Sequence, residues 1–521
     1  MKRICFSATA LMSLCLVPLS AVSAQATADK AGSTHVQCDG QPNNVTGAET
    51  AARLLGAVTL LGLFAPPRET ADSSKRKFGA AGVAACTILI TGERQEGNPD
   101  RRFGLILARS LHHIENKDYT AALADVALTR SDPQTLALTA DPYFARSRGR
   151  AVDLVESAAL LRMGRADEAR TAGLQGVEAI EYSMFGLTDT RTYEDLIAAP
   201  SAAEDQVNHW RSRLLPFLTA SRANRLELAG RFADAARIRD AIIEFDAEHT
   251  PELNSSAAIA LSAVTHALAG NLAVAAERSN AARTNAAKRK ADGKPETDAA
   301  EFVELTDLYN IVQTAAAGDM KTARRLFAAR SQWVGASFGS VLEVNRRLRQ
   351  GAARDEMIGG LAQDSDQLWK EHAETNRTEL LAKDSDNKTL FRLIPSVRLA
   401  GGYEALSNNV WRTDKSRILL KTKADPGKSR FELMYLPMID PALAMDAYVL
   451  HAALLAKSRG HQGFVFMPLL SEKIFAGSFR SGNRGEKGFP GDLFFDASDV
   501  IMKLSAVIPD PAILKQRRAK Q

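Results

Sequence analysis

Cysteine is scarce in this chain of 521 residues, with four in all. There is no paired-cysteine motif and no H-E-x-x-H among the nine histidines, so neither thiolate nor peptidase zinc chemistry has its ligands at the usual spacing. No phosphate-binding Walker pattern fits, because Lys487 is followed by Gly488. An excess of one charge is also missing. The net charge is +5 and falls to +3 once Lys2 and Arg3 are removed with residues 1–24. That balance is too small to argue for a nucleic-acid partner. Aromatic residues make up 6%, and with abundant Ala, Leu and Arg this profile favours helices over sheets. Beyond the first 22 residues no apolar run is long enough for a bilayer. Leu54 to Ala65 stops at Pro66-Pro67 and reads as a short buried helix.

The start of the chain carries a recognisable signal. Lys2 and Arg3 precede an apolar stretch from Ile4 to Val22, and Val22-Ser23-Ala24 offers compact residues at a cleavage position, with cleavage after Ala24. Residues 1–24 are therefore expected to be a secretory signal peptide, and the protein to be exported, periplasmic or secreted. Cys15 follows Leu14 rather than a small residue, which argues against lipidation. Cys38 and Cys86 remain after cleavage and predict a disulfide, with two separate buried thiols as the alternative. In the chain-entropy account such a bridge stabilises by about 4 kcal/mol.

Composition divides the rest. Residues 25–50 read as a flexible leader. From 51 to 350, helix follows helix. Residues 351–392 are a polar linker containing a helix, marked by Asp364-Ser365-Asp366 and Trp369. Residues 393–510 read as a small α+β domain, and 511–521 as a basic tail with Lys515, Arg517, Arg518 and Lys520.

A turn recurs five times in the helical part. It begins at Lys117, Gly164, Gly230, Gly270 and Gly318, and five residues later stands Ala122, Ala169, Ala235, Ala275 or Ala323. Glycine ends a helix because it takes the left-handed conformation without a Cβ penalty. Two residues on, Tyr119, Phe232, Leu272 and Met320 are placed to seal a hairpin. Seven residues before the turn, Ser110, Ser157, Ala223 and Ala263 (Ile311 in the fifth copy) set a small side chain against the small alanine. Small against small is what tightly packed antiparallel helices need. This resembles the tetratricopeptide repeat family, in which the same turn, aromatic and alanine recur in helix–turn–helix units. The turn starts lie 47, 66, 40 and 48 residues apart, so the copies are degenerate. The resemblance implies a mainly α fold, a TPR-like α-solenoid of helical hairpins; a plain array of unrelated hairpins is the alternative.

The C-terminal part changes period. Arg417–Lys421 and Phe431–Leu436 read as strands around a Pro426-Gly427 turn. A helix starting at Pro441 and ending before Gly460 follows, then a strand Gly463–Met467, a glycine-rich loop and Leu493-Phe494-Phe495. Gly401-Gly402-Tyr403, the stretch Ala447–Ala453, Gly460 and Phe464 together resemble a domain of small bacterial exported lipoproteins of unknown function. That likeness implies an envelope location.

Candidate chemistry is sparse. Gly335-Ala336-Ser337-Phe338-Gly339 matches the G-x-S-x-G nucleophile elbow, which works where a strand turns into a helix above a sheet. Here a repeat helix precedes it, so a break between helices is expected, and His372 and His451 are partners in letters alone. His112-His113 are adjacent and point apart on a helix. Lys288-Arg289-Lys290 suits a helix end, where the macrodipole favours cations. Arg480, Arg484 and Lys487 decorate a glycine-rich loop expected to be mobile and solvated, with a basic anion-binding loop as the alternative. No catalytic residue, cofactor or metal site is expected. The expected function is a non-catalytic scaffold that binds a protein or peptide partner in the cell envelope. The alternative is an enzyme or small-ligand binder with a pocket at the junction of the repeats and the C-terminal domain. Neither the partner nor the oligomeric state is fixed by the sequence.

Overall fold

The computed structural model describes residues 32–43, 69–92, 95–178, 180–183, 192–197, 200–251, 253–294, 298–330, 332–384, 390–394, 402–419, 431–436, 441–470 and 475–520. The expected signal peptide with Ala24, the apolar run 54–65 and the Pro426-Gly427 turn lie outside them. The chain is mainly helical with one small antiparallel sheet. It divides into two compact units, residues 1–117 and 118–521, at a point where the sequence reading sets no boundary.

In the first unit α1 (Thr34–Asp39), α2 (Gly79–Thr91) and α3 (Pro99–Glu115) pack together. The Ser33 hydroxyl caps α1, and Asn98 caps α3 ahead of Pro99. Cys38 and Cys86 are bonded, with Cα atoms 4.8 Å apart, so the expected bridge ties α1 to α2. His112, fully buried on α3, sets one ring nitrogen 2.7 Å from the Cys38 carbonyl and the other 2.7 Å from the Glu115 carboxylate. Glu115 also accepts the Gly79 N–H at 3.0 Å. The ring fills the space where a Cβ on Gly82 would stand, 2.3 Å away, so that position has room for glycine alone.

The second unit opens with α4 (Tyr119–Ser131), capped by Asp118. Then come α5 (Arg148–Arg162), α6 (Ala166–Glu178), α7 (Ala202–Leu214), α8 (Phe217–Leu228) and α9 (Phe232–His249). They are followed by α10 (Ser256–Leu268), α11 (Leu272–Ala291), α12 (Ala299–Ala316), α13 (Met320–Ala328) and α14 (Phe338–Arg349). The pairs α5–α6, α8–α9, α10–α11 and α12–α13 are helical hairpins. Their turns share one geometry. Gly164, Gly230, Gly270 and Gly318 all have positive φ, and so does Lys117 at 61°. In each hairpin the glycine N–H reaches the carbonyl three residues back and the next N–H the carbonyl five back, as Gly230 to Glu227 at 2.9 Å and Arg231 to Leu226 at 2.8 Å. This satisfies the last carbonyls of the first helix.

The alanines pack as the spacing requires. Ala122, Ala169, Ala235, Ala275 and Ala323 are fully buried, and Ser157 donates to the Ala169 carbonyl at 2.6 Å across its hairpin. The sealing residues vary more: Phe232 is buried, Tyr119 and Met320 half-buried, and Leu272 exposed. Leu272 thus does not seal its turn as expected.

The polar stretch after α14 contains α15 (Ser365–Lys383), about 27 Å long at the usual rise. Its first turns meet α14, where Phe338 lies 4.3 Å from the His372 ring. Its end returns to α5, where Asp384 accepts three hydrogen bonds from the buried Arg162. The polar stretch thus carries the expected helix, which packs on α14 at one end and α5 at the other.

Next come α16 (Gly402–Val410), β1 (Glu432–Tyr435), α17 (Pro441–Ser458), β2 (Gly463–Leu470), β3 (Phe475–Gly482), β4 (Phe495–Asp496), α18 (Ala497–Leu504) and α19 (Pro511–Lys520). The sheet order is β1-β3-β2-β4, all antiparallel. Ile418 and Leu419 pair with β1, as the expected hairpin requires, while β3 was not foreseen. Helix α17 is buried on every side, with Leu443, Ala447, Tyr448, Leu450 and Ala453 fully covered. Its core also takes Leu174 and Val177 of α6, Trp210 and Leu214 of α7, and Tyr182 between those helices. The C-terminal sheet and the earlier helices therefore share one core within this unit.

Candidate functional site

Helix α9 carries two pockets on adjacent faces. Arg237, Asp240, Ala241 and Glu244, spaced three and four residues apart, line one of about 640 Å³. Ile242, Phe245, Asp246 and Thr250, on the next face, line another of about 550 Å³. The opposite walls come from the C-terminal part: Arg484, Pro490 and Asp492 for the first, Met467, Pro468 and Leu493 for the second. The cleft lies where the hairpin α8–α9 meets the sheet and the glycine-rich loop.

The loop is docked, not mobile. The Gly488 N–H donates to Glu244 at 3.0 Å, and its carbonyl accepts from His249 Nε2 at 2.7 Å. Gly488 has φ +83°, and a Cβ there would stand 2.6 Å from Glu248 Cγ. Two of the basic side chains read as a solvated cluster are paired: Arg480 lies 3.6 Å and Lys487 3.2 Å from the Glu248 carboxylate. Arg484 lies over the Phe494 ring at 5.2 Å.

The first pocket is built from charge. Arg222 donates to Asp205 at 3.1 Å, to Asp492 at 3.3 Å and to His209 Nδ1 at 2.9 Å. Arg237 pairs with Asp492 and approaches Asp234 at 3.7 Å. Burial, followed by the Arg213 and Arg222 charges, lowers His209 to about 3, so its ring is neutral with the proton on Nε2. Burial alone would raise the Asp240 carboxyl. Hydrogen bonds from His266 at 3.0 Å and Ser262 at 2.8 Å, together with Arg278, hold it below the usual range. The second pocket is apolar, with Leu253 exposed at its edge.

The sequence-level candidates fall elsewhere. Ser337 is a helix cap, accepting from the Ser340 N–H at 3.1 Å. Its hydroxyl donates to the buried Glu227. That carboxylate also takes Arg239, Thr265 and Ser340, at 2.8, 2.8 and 2.9 Å, and so knits α8, α9, α10 and α14 together. A Cβ on Gly339 would meet the Leu228 amide nitrogen at 2.6 Å, so the glycines of that motif serve close helix packing. His372 lies tilted against the Phe338 ring, far along the chain from His451. The latter is fully buried, with Nδ1 donating to the Val410 carbonyl at 2.6 Å and Nε2 2.7 Å from Ser416 Oγ. Ser416 Oγ also accepts the Ile418 and Leu419 N–H groups at 3.1 and 3.2 Å, which makes it a turn staple. Lys288, Arg289 and Lys290 occupy the last turn of α11. Among the described residues no group of three His, Cys, Asp or Glu is placed to hold a metal ion, and no helix is long and apolar enough to cross a membrane. Sequence reasoning missed α9 as a wall, although its two interleaved three-and-four spacings are visible once the helix bounds are known.

No protein-family model, curated protein or solved structure matches this chain.

Proposed function

We propose that this protein is a non-catalytic binding scaffold of the cell envelope, a degenerate tetratricopeptide-like array that holds an extended segment of a partner protein in the cleft along α9. The observation that carries this reading is the pairing of a charged and an apolar pocket on neighbouring faces of one helix. A peptide with a charged and an apolar side chain near one another meets complementary surfaces there. Export is supported by the charged and apolar start of the chain and agrees with a disulfide-bonded first unit. Each pocket also has the volume of a small-molecule site, so a diffusible ligand is the second reading.

Peptide display selection on the purified protein tests it. Selected peptides are expected to bind the parent and to lose at least about tenfold on Leu253→Asp or Arg484→Glu, both exposed and outside the packed core. A library that yields no binder, or binders indifferent to both changes, sinks the peptide reading. A small molecule that co-purifies and is released on denaturation favours the second.

A further inference from the structure

We propose that the partner segment held along α9 carries one acidic and one basic side chain beside its apolar residue, the acid meeting Arg484 and the base meeting Glu244. This rests on the reading of the cleft as a peptide site and names the sequence that such a site takes. The charged pocket is lined by Arg222, Arg237, Arg484, Asp240, Glu244 and Asp492, three of each sign, and His209 is neutral as described. A wall of balanced charge does not favour an acidic or a basic segment as a whole. What a ligand meets depends on which of these charges are already neutralised.

Four of the six are paired. Arg222 lies against Asp205 and Asp492, Arg237 against Asp492 and Asp234, and Asp240 against Arg278 at 3.0 Å. Arg484 and Glu244 differ. Both are exposed, and each is oriented by a neutral group. The Arg484 guanidinium lies over the Phe494 ring at 5.2 Å, and Glu244 Oε1 accepts the Gly488 N–H at 3.0 Å. Among the described residues neither has an opposite charge within salt-bridge distance. Helix α9 thus offers an anion on one wall and the docked loop a cation on the other. A planar guanidinium held on a ring presents its N–H fork to a carboxylate. A segment with one side chain of each sign satisfies both groups. A segment with charges of one sign satisfies one group and sets a like charge against the other.

Peptides selected on the parent by display, then synthesised and titrated by fluorescence anisotropy, test it. They are expected to share one acidic, one basic and one large apolar residue. Glu244→Gln removes the charge and keeps an acceptor for the Gly488 N–H. It is expected to weaken such a peptide at least about fivefold. The same peptide with its basic residue changed to glutamine should lose less than about twofold on that variant. Arg484→Gln, at an exposed position, should behave in the same way toward the acidic residue. Both variants should keep the parent's urea midpoint. Peptides lost on Leu253→Asp yet indifferent to both glutamine variants overturn the inference and leave the cleft standing as a peptide site. Selected peptides whose charges are all of one sign do the same. A library that yields no binder removes the inference together with the reading beneath it.

Discussion

The hairpins between residues 148 and 328 and the sheet region between 402 and 508 are held together in different ways. In each hairpin the same three devices recur: a left-handed glycine, a pair of end-of-helix hydrogen bonds, and a buried alanine. Partners there lie a dozen or so residues apart, as Ser157 and Ala169 do. In the sheet region the central helix α17 is buried on all sides, and its polar anchor comes from far away. Asp446 accepts from Arg146 at 3.0 Å and from the Tyr403 hydroxyl at 2.6 Å. Burial alone would lower the Arg146 guanidinium, but the Asp446 charge and hydrogen bonds outweigh it and raise it. Burial, with Asp446 adding to it, pushes the Tyr403 hydroxyl well up. Local repetition thus builds one region, while long-range contacts, with the Asp446 knot among them, fasten the other to the helices before it.

That contrast predicts a hierarchy of mutational cost. Asp446→Ala leaves Arg146 buried without its carboxylate and is expected to cost about 3–5 kcal/mol, read from the urea midpoint. A loss under about 1 kcal/mol would show that the shared core and the docked loop, not the knot, fasten the region. Within the hairpins, Ala275→Leu overpacks a fully buried position and should cost about 1–3 kcal/mol. Leu272→Ala in the same turn removes an exposed side chain and should stay within about 0.5 kcal/mol. Equal costs at the two positions would mean that the alanine contact does not organise the hairpin.

The same contrast explains what could be read from the sequence. A left-handed turn followed by alanine is a local pattern, so Gly164, Gly230, Gly270, Gly318 and their alanines were visible. The bounds Pro441 and Gly460 of α17 were legible for the same reason. The shared core was not, because nothing near Leu174 or Trp210 in the chain marks them as partners of Leu443 and Tyr448. Strand β3 was missed because Gly477, Ser478, Arg480 and Ser481 break the usual apolar alternation. The docked loop was read as mobile because Gly488 resembles any flexible glycine until Glu248 is known to lie against it.

The cleft sets the next effect in size. His209 is lowered to about 3, below its ordinary 6.5. Its contribution to stability is full above about pH 6.5. It is lost as pH falls toward 3, because the unfolded chain takes up a proton that the folded ring refuses. The loss amounts to at most about 1.4 kcal/mol per pH unit. His209→Gln should therefore flatten the decline between pH 6.5 and 5 by up to about 2 kcal/mol. Parallel declines in parent and variant would show that the ring is protonated in the folded protein.

The smallest effect separates turn geometry from packing. At Gly230, Gly270 and Gly318 an added Cβ meets nothing within 4 Å, so the glycine is needed for its positive φ alone. Gly230→Ala should cost about 1 kcal/mol. Lys117 holds the same conformation with φ 61° and pays for its side chain there. Lys117→Gly is then expected to stabilise by about 0.5 kcal/mol, the left-handed relief exceeding the extra freedom of the unfolded chain. Gly339→Ala provides the contrast, because its helical backbone is ordinary but a Cβ would press on the Leu228 amide. It should cost more than Gly230→Ala. If Lys117→Gly destabilises, the left-handed conformation at that turn is sustained by the lysine side chain rather than tolerated in spite of it.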